Sequence, residues 1–227
     1  MYTSKLWPNT KFQLDAEHEV RHRFGGGLDY VIDIGAHVGW FTLAFSDKYP
    51  SAKIFAYEPS SAIFEALEKH VKLSAPVERL KNIKLINAGL ADGKDHNLGL
   101  TSRLRGVGRI THNQQNTEII KTKTIKQIIE ENQIDLNKKI GIKIDCEGSE
   151  KYLLNEESTE VMKQMNYISL ELHFKSNCRL DGWDNGLLPW ENYNDWINKN
   201  FSDSFKHTYE YGRKHRGWGM FYIKKTK

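Results

Sequence analysis

Apolar and β-branched bursts alternate with stretches of helical periodicity along most of the chain, the pattern of βα units wound around a parallel sheet. YVIDIG (30–35) reads as a buried strand, and residues 40–49 as a helix that ends at Pro50. KIFAYE (53–58) is a second strand. Pro59 can open the helix that carries Ile63, Phe64, Leu67 and Val71 at helical spacing. IKLINAGLA (83–91) reads as a third strand, KIGIKID (139–145) as a fourth and YISLELHF (167–174) as a fifth. Thr124 is placed to cap a helix IKQIIEEN. LPWENYNDWINKNF (188–201) reads as a further helix, and FKHTYEYG with WGMFYIKK as a closing pair of strands.

Between residues 92 and 124 the pattern lapses. Gly93, Gly99, Gly106 and Gly108 punctuate polar and basic residues, which predicts a hairpin or mobile excursion. Residues 1–27 precede the first strand as an N-terminal extension. With no internal repeat or linker, residues 1–227 read as one domain, a length that buries roughly 70–75% of the unfolded surface.

Composition narrows the class. Hydrophobic residues are 39% and charged residues 27%, which excludes disordered and collagen-like chains. The apolar runs, such as FTLAF (41–45), fall far short of the ~20 residues that cross a bilayer. The start MYTSKLWPNTKF lacks the apolar core of a signal peptide, and two cysteines, Cys146 and Cys178, suit a reducing compartment, so the cytoplasm is the expected location. The net charge of +4 is too small to imply a polyanionic partner. Residues 205–227 nevertheless hold seven Lys or Arg against Glu210 alone, a solvated basic hairpin or a contact for phosphate-bearing or acidic-glycan substrates.

Three segments carry candidate chemistry. In DIGAHVGW, Asp33, Gly35 and Gly39 form a glycine turn after the first strand, where ligands of doubly wound sheets bind. His37 replaces the middle glycine of a dinucleotide fingerprint, which argues against a pyrophosphate. An Asp beside that turn suits a cationic ligand instead, and S-adenosylmethionine carries both an ammonium and a sulfonium. Glu58 ends the second strand 19 residues beyond Gly39, placed to accept both hydroxyls of a ribose. In IKIDCEGSE (142–150), alternation puts Lys143, Asp145 and by extension Glu147 opposite Ile142 and Ile144. In the next strand Glu171 and His173 share a face opposite Leu170 and Leu172. Polar groups therefore converge on neighbouring strand ends, as catalytic groups, as metal ligands or as plain surface charges.

VIDIGAHVGWFTLAFS, AYEPSSAIFEAL, INAGLADG, KTKTIKQII and IKIDCEGSEKYLL, in this order and spacing, resemble the FkbM family of class I S-adenosylmethionine-dependent methyltransferases over about residues 28–174. KIDCEGSE is the most distinctive block. The resemblance implies an α/β, Rossmann-like, mostly parallel seven-stranded sheet with an antiparallel last strand, and O-methylation of a sugar, polyketide or similar hydroxyl. It places Asp33, Gly35, Ala36, His37 and Gly39 on the methionine part of the cofactor, Glu58 with Pro59 and Ser60 on the ribose, and Asp145 on the floor of the site. His37 stands where the family commonly has Asn. Gly89 occupies the adenine-side position where many methyltransferases have Asp, with Asp92 as the nearby substitute.

An acceptor hydroxyl must lose its proton as it attacks the sulfonium methyl. His173 is the base by intrinsic pKa, with Asp145 or Glu171 orienting it or the substrate. In a variant, Asp145, Glu147, Glu171 and His173 ligate Mg²⁺ or Mn²⁺, which would lower the hydroxyl's pKa. The resemblance implies a hydroxyl acceptor, DCEG stands where an amino-directed nucleic-acid methyltransferase needs an Asn/Asp-Pro-Pro-aromatic turn, and a net charge of +4 is weak for an RNA-tracking enzyme; together these make a carbohydrate or sugar-bearing small molecule the expected acceptor. RNA ribose 2′-O-methylation, with Lys143 or Lys175 near phosphate, and a non-catalytic nucleoside-binding module are the alternatives. Trp183, Trp190, Tyr193 and Trp196 stack on a sugar or base, or pack a core. The oligomeric state is not legible.

Overall fold

The computed structural model describes residues 10–100, 108–110, 117–175, 187–202, 205–211 and 218–226. The chain enters through α1 (Thr10–Arg23) and runs β1 (Tyr30–Ile34), α2 (Trp40–Lys48), β2 (Lys53–Tyr57), α3 (Ser61–Ser74), the single turn α4 (Val77–Leu80) and β3 (Ile83–Ile86). The short strands β4 (Gly89–Leu90), β5 (His96–Leu100), β6 (Gly108–Ile110), β7 (Thr117–Ile120) and β8 (Thr122–Lys123) follow. The second half holds α5 (Ile125–Glu131), β9 (Ile140–Asp145), a 3-10 turn Ser149–Leu153, α6 (Glu156–Met162), β10 (Tyr167–His173), α7 (Trp190–Phe201), β11 (Phe205–Tyr211) and β12 (Trp218–Lys225).

Seven strands form the main sheet in the order β11-β12-β10-β9-β1-β2-β3. All pairs from β10 to β3 are parallel, and β12 lies antiparallel between β10 and β11. Side-chain alternation sorts the two faces. Ile32, Ile34, Ile142, Ile144, Leu170 and Leu172 point into the larger core, against Ile125, Ile128 and Ile129 of α5, Met162 of α6 and Tyr193, Trp196 and Ile197 of α7. The opposite face carries Val31 and Ile54 against Ala16 and Val20 of α1, Phe24, and Phe45 of α2. Of the aromatic cluster, Tyr193 and Trp196 are thus core, and Trp190 packs on Phe174 and Phe221; Trp183 and Cys178 lie outside the described residues.

Three features add to or depart from the sequence reading. The stretch before β1 contains α1, whose end is held by Lys48: its ammonium donates to the carbonyls of Val20, Arg21 and Phe24. The expected strand 83–91 breaks at Asn87, whose side-chain amide donates to the carbonyls of Glu58 (2.9 Å) and Pro59 (3.0 Å). Gly89 and Leu90 then leave the main sheet and pair with Thr122 and Lys123. The glycine-punctuated segment contains a three-stranded antiparallel sheet, β6-β5-β7. It returns to the body where Glu118 accepts the backbone N–H of Ser61 at 2.9 Å. Residues 101–107 and 111–116 of that segment lie outside the described residues.

Candidate active site

β1 lies between β9 and β2, so the chain reverses its direction of winding at β1, and the crevice where doubly wound sheets hold ligands falls at the carboxyl ends of β1 and β9. The turn leaving β1 is built for close approach. Gly35 has φ +75, and a Cβ there would lie 1.7 Å from the carbonyl oxygen of Asp145. Gly39, at φ +94, has Leu67 Cδ1 2.7 Å from where its Cβ would be. Both turns need glycine for these reasons. The amides of Gly35 and Ala36 donate to the carbonyl of Tyr57 at 2.9 Å, fastening the turn to the end of β2.

Glu58 sits at that end, 6% exposed. One carboxylate oxygen accepts the amide of His37 and the other the amide of Ser60, each at 3.0 Å. His37 reaches this bond from a left-handed backbone, φ 50. Burial, partly offset by these two bonds, pushes the Glu58 carboxyl up to about 7. The Ser60 hydroxyl is buried and has no hydrogen-bond partner among the described residues. Gly89 closes this side, its absent Cβ leaving room for Pro59 at 3.3 Å and Ile120 at 3.5 Å. Asp92 turns to its own loop, pairing with His96 at 2.6 Å, which holds its carboxyl below the usual range.

Beneath the crevice runs a buried polar row. Asp33, Lys143 and Ser169 are register partners on β1, β9 and β10. Lys143 donates to the Gly35 carbonyl at 2.9 Å, with Asp33 at 3.8 Å and Asp145 at 3.7 Å. Thr42 of α2 donates to Asp33 at 2.6 Å, and Ser169 donates to Glu19 of α1 at 2.6 Å. Burial outweighs Lys143 and Thr42 and raises the Asp33 carboxyl. The facing carboxylates keep Lys143 charged against that same burial. Asp33 is wholly buried; the groups it touches are Thr42 and Lys143, and through Lys143 it bears on the Gly35 turn.

Two residues further along the strands, Asp145 and Glu171 are again register partners. His173 ends β10 beside them, 4% exposed. Its Nε2 faces Glu147 at 3.4 Å and Glu171 at 3.7 Å, and its Nδ1 faces Glu150 at 3.2 Å. Glu147 lies past the strand, on a turn residue with φ 54. Burial would lower the histidine, but the three carboxylates prevail and push it up to about 10. Burial and Asp145 push Glu171 up to about 8. Asp145, Glu147, Glu171 and His173 thus come together as the sequence reading expects. Glu150 is what that reading missed: alternation stops at the end of β9, and the turn that returns this side chain under His173 has no periodicity to show it. Glu19, distant in sequence, gave no signal.

The sheet order and the crevice with its glycine turn, acidic strand end and carboxylate row define the class I, Rossmann-like methyltransferase fold. The profile of the family described as the methyltransferase FkbM domain matches residues 33–209, and the chain belongs to that family. Among curated proteins it is similar to methyltransferase sdnD of Sordaria araneosa, 34% identical over 62 residues, which are 27% of this chain and 23% of the relative. Methyltransferase 1 of Beauveria bassiana is 36% identical over 44 residues, 19% and 18% of the two chains. Among solved structures, the FkbM methyltransferase of Methylobacillus flagellatus superposes with TM-score 0.53 at 14% identity, covering 86% of this chain and 43% of the other. A putative rRNA methylase of Clostridium thermocellum gives 0.56 at 10% identity, covering 94% of each chain. At these identities the likeness is one of fold. The chain spans less than half the length of the first of these solved relatives and about a quarter of the first curated one.

Membership of the family implies S-adenosylmethionine as methyl donor, and the residues present fit it. Asp145, Glu147 and Glu150, with Glu58 and Glu171 wherever a cation favours their ionised forms, stand at the carboxyl ends of the strands against the cations Lys143 and His173, an acidic surround suited to a sulfonium and an ammonium. No helix among the described residues is long and apolar enough to cross a membrane.

Proposed function

We propose that the protein transfers the methyl group of S-adenosylmethionine to a hydroxyl of a carbohydrate or sugar-bearing small molecule. The observation that carries this reading is the register pairing of Asp145 with Glu171, which sets a carboxylate pair at the strand edge next to the glycine turn and Glu58. Glu58 accepts the ribose hydroxyls on lone pairs its two backbone bonds leave free. The turn from Gly35 to Gly39, with Ala36 and His37, borders the methionine part, and Asp33 steadies that turn through Lys143 and Thr42. Pro59, Ser60 and Gly89 line the nucleoside side, with Asp92 at its rim.

Methyl transfer is an in-line displacement, so alignment of sulfonium, methyl and acceptor oxygen supplies much of the rate, up to about 7–11 kcal/mol. The acceptor's proton goes to a carboxylate. His173, with carboxylates facing both ring nitrogens, already holds its protons, and Glu171, pushed up to about 8, holds one near neutral pH, so Asp145 is the acceptor within reach. This changes the expected role of His173 from base to fixed cation.

RNA ribose methylation is the second reading, favoured by the exposed Lys206 and Lys224, register partners on β11 and β12. Because β11 is an edge strand of the sheet, Lys206 equally serves to discourage edge-to-edge pairing. Calorimetric titration with S-adenosylhomocysteine, followed by a mass-spectrometric screen over glycans, sugar-bearing small molecules and RNA, tests the assignment. Binding that weakens at least tenfold in Glu58→Ala, with methyl transfer to a sugar hydroxyl lost in Asp145→Asn at unchanged melting temperature, is expected. Absence of binding by the wild type ends the reading. Tight RNA binding with a steep negative salt dependence and a methylated ribose would replace the acceptor. Binding without turnover on any acceptor would leave a nucleoside-binding module.

A further inference from the structure

We propose that Asp145, Glu171 and His173 form a binding site for one divalent cation of the Mn²⁺ type, with Glu150 as the buried carboxylate that orients the histidine. One ligand atom from each of the three lies within 4.8 Å of the other two. Neighbouring donors around a cation bound at about 2.0–2.6 Å stand about 3–4 Å apart, so side-chain rotations that draw the three together by about an ångström close the site. The donor set mixes one imidazole with two carboxylates, which suits Mn²⁺ better than the all-oxygen preference of Mg²⁺ or the thiolate preference of soft metals.

The histidine is more than one member of an acidic cluster. Its Nδ1 faces Glu150 at 3.2 Å, which directs Nε2 to the side where Asp145 and Glu171 stand. A carboxylate behind the far nitrogen is the usual arrangement at a metal-bound imidazole, where it fixes the tautomer and makes the ring a better donor. Glu150 is itself anchored, since the same oxygen accepts the amide of Cys146 at 3.0 Å. The other carboxylate oxygen of Glu150 is buried and has no hydrogen-bond partner among the described residues. A buried carboxylate of this kind needs positive charge near it; the protonated His173 ring supplies it when the site is empty, and a cation beyond the ring keeps it supplied when Nε2 gives up its proton.

The three donors come from two adjacent strands of a rigid sheet, and the side chains of Asp145 and Glu171 are 31% and 29% exposed. The cation therefore keeps positions open toward the crevice. A hydroxyl of the acceptor takes one of them, and its proton then passes to solvent more easily at neutral pH. Binding takes no oxidant or reductant: His173, the fixed cation of the empty site, gives the proton on Nε2 to solvent and the bound cation takes that place. The cation's use in catalysis rests on the methyl-transfer reading above; its binding does not.

Titration of the whole chain with MnCl₂, followed by electron paramagnetic resonance of free Mn²⁺ and by calorimetry, tests the site. One saturable site is expected. His173→Ala and Glu171→Gln should each weaken it at least tenfold, and Glu150→Gln by roughly 10–100-fold, the usual effect of losing a carboxylate behind a ligand histidine. S-adenosylhomocysteine affinity, measured on the same samples, should stay within about twofold in Glu171→Gln, which shows that the variant is folded. No saturable binding up to several millimolar Mn²⁺, or binding indifferent to both His173→Ala and Glu171→Gln, overturns the proposal. Loss of S-adenosylhomocysteine binding by the wild type would instead strike the cofactor reading, and the Mn²⁺ result would stand by itself.

Discussion

At the scale of single residues, the two most telling positions are Glu58 and Gly35. Glu58 is buried, and its carboxyl titrates near 7 rather than at the ordinary 4.5. A raised carboxyl is neutral when the protein folds at low pH, so its contribution to stability is full below about 4.5 and declines as pH rises through about 7. Cofactor binding runs the other way on the proposed ribose contact, in which only the ionised form accepts both hydroxyls. Affinity for S-adenosylhomocysteine should therefore fall roughly tenfold from pH 8 to pH 6, and a calorimetric series in Glu58→Gln should be flat over that range. At Gly35 the constraint is contact: a methyl group would overlap the Asp145 carbonyl at 1.7 Å, on a backbone with φ +75. Gly35→Ala should lower stability by several kcal/mol, read as a drop of roughly 10 °C or more in melting temperature. The DIGAHVGW motif made both turn glycines legible before any coordinates existed. The partner of Gly35 was not, since nothing local says that the end of β9 lies beneath it.

At the scale of elements, alternation along a strand proved the most informative signal. It separated Ile142 and Ile144 from Lys143 and Asp145, and Leu170 and Leu172 from Glu171, and the faces of β9 and β10 follow it. It failed at the strand ends, where Glu147 and Glu150 sit on a turn, and at Asn87, where side-chain bonds to Glu58 and Pro59 interrupt the expected third strand. α1 escaped for a different reason. Its inward positions include Ala16, Val20 and the charged Glu19, while Phe12 and Leu14 face outward, so it lacks an apolar stripe. The row Asp33, Lys143 and Ser169 makes a sharper prediction. Lys143→Met would leave Asp33 buried beside no cation, at a cost of about 3–5 kcal/mol. Adding Asp33→Asn should recover a large part of it, and chemical denaturation of the four members of this cycle gives the coupling directly.

At the scale of the whole molecule, the chain divides its labour by face and by end. One face of the sheet is filled by aliphatic residues under α5, α6 and α7, the other holds a polar row under α1 and α2, and the chemistry gathers at the carboxyl edge. The fold class was legible because each βα unit announces itself locally, whereas the floor of the site joins residues no local pattern connects. The hydrogen bond from Ser169 to Glu19 spans 150 positions of sequence, and Lys139 binds Asp29 across 110. On a ribosome adding about 5–20 residues per second, α1 is made roughly ten seconds or more before the strand it must cover. During that interval β1 has no β9 beside it and Asp33 no ammonium, so the first half of the chain emerges with an open strand edge and a hydrated charge where its centre will be. The newborn chain thus has to wait for its own second half before that edge is paired and that charge is answered.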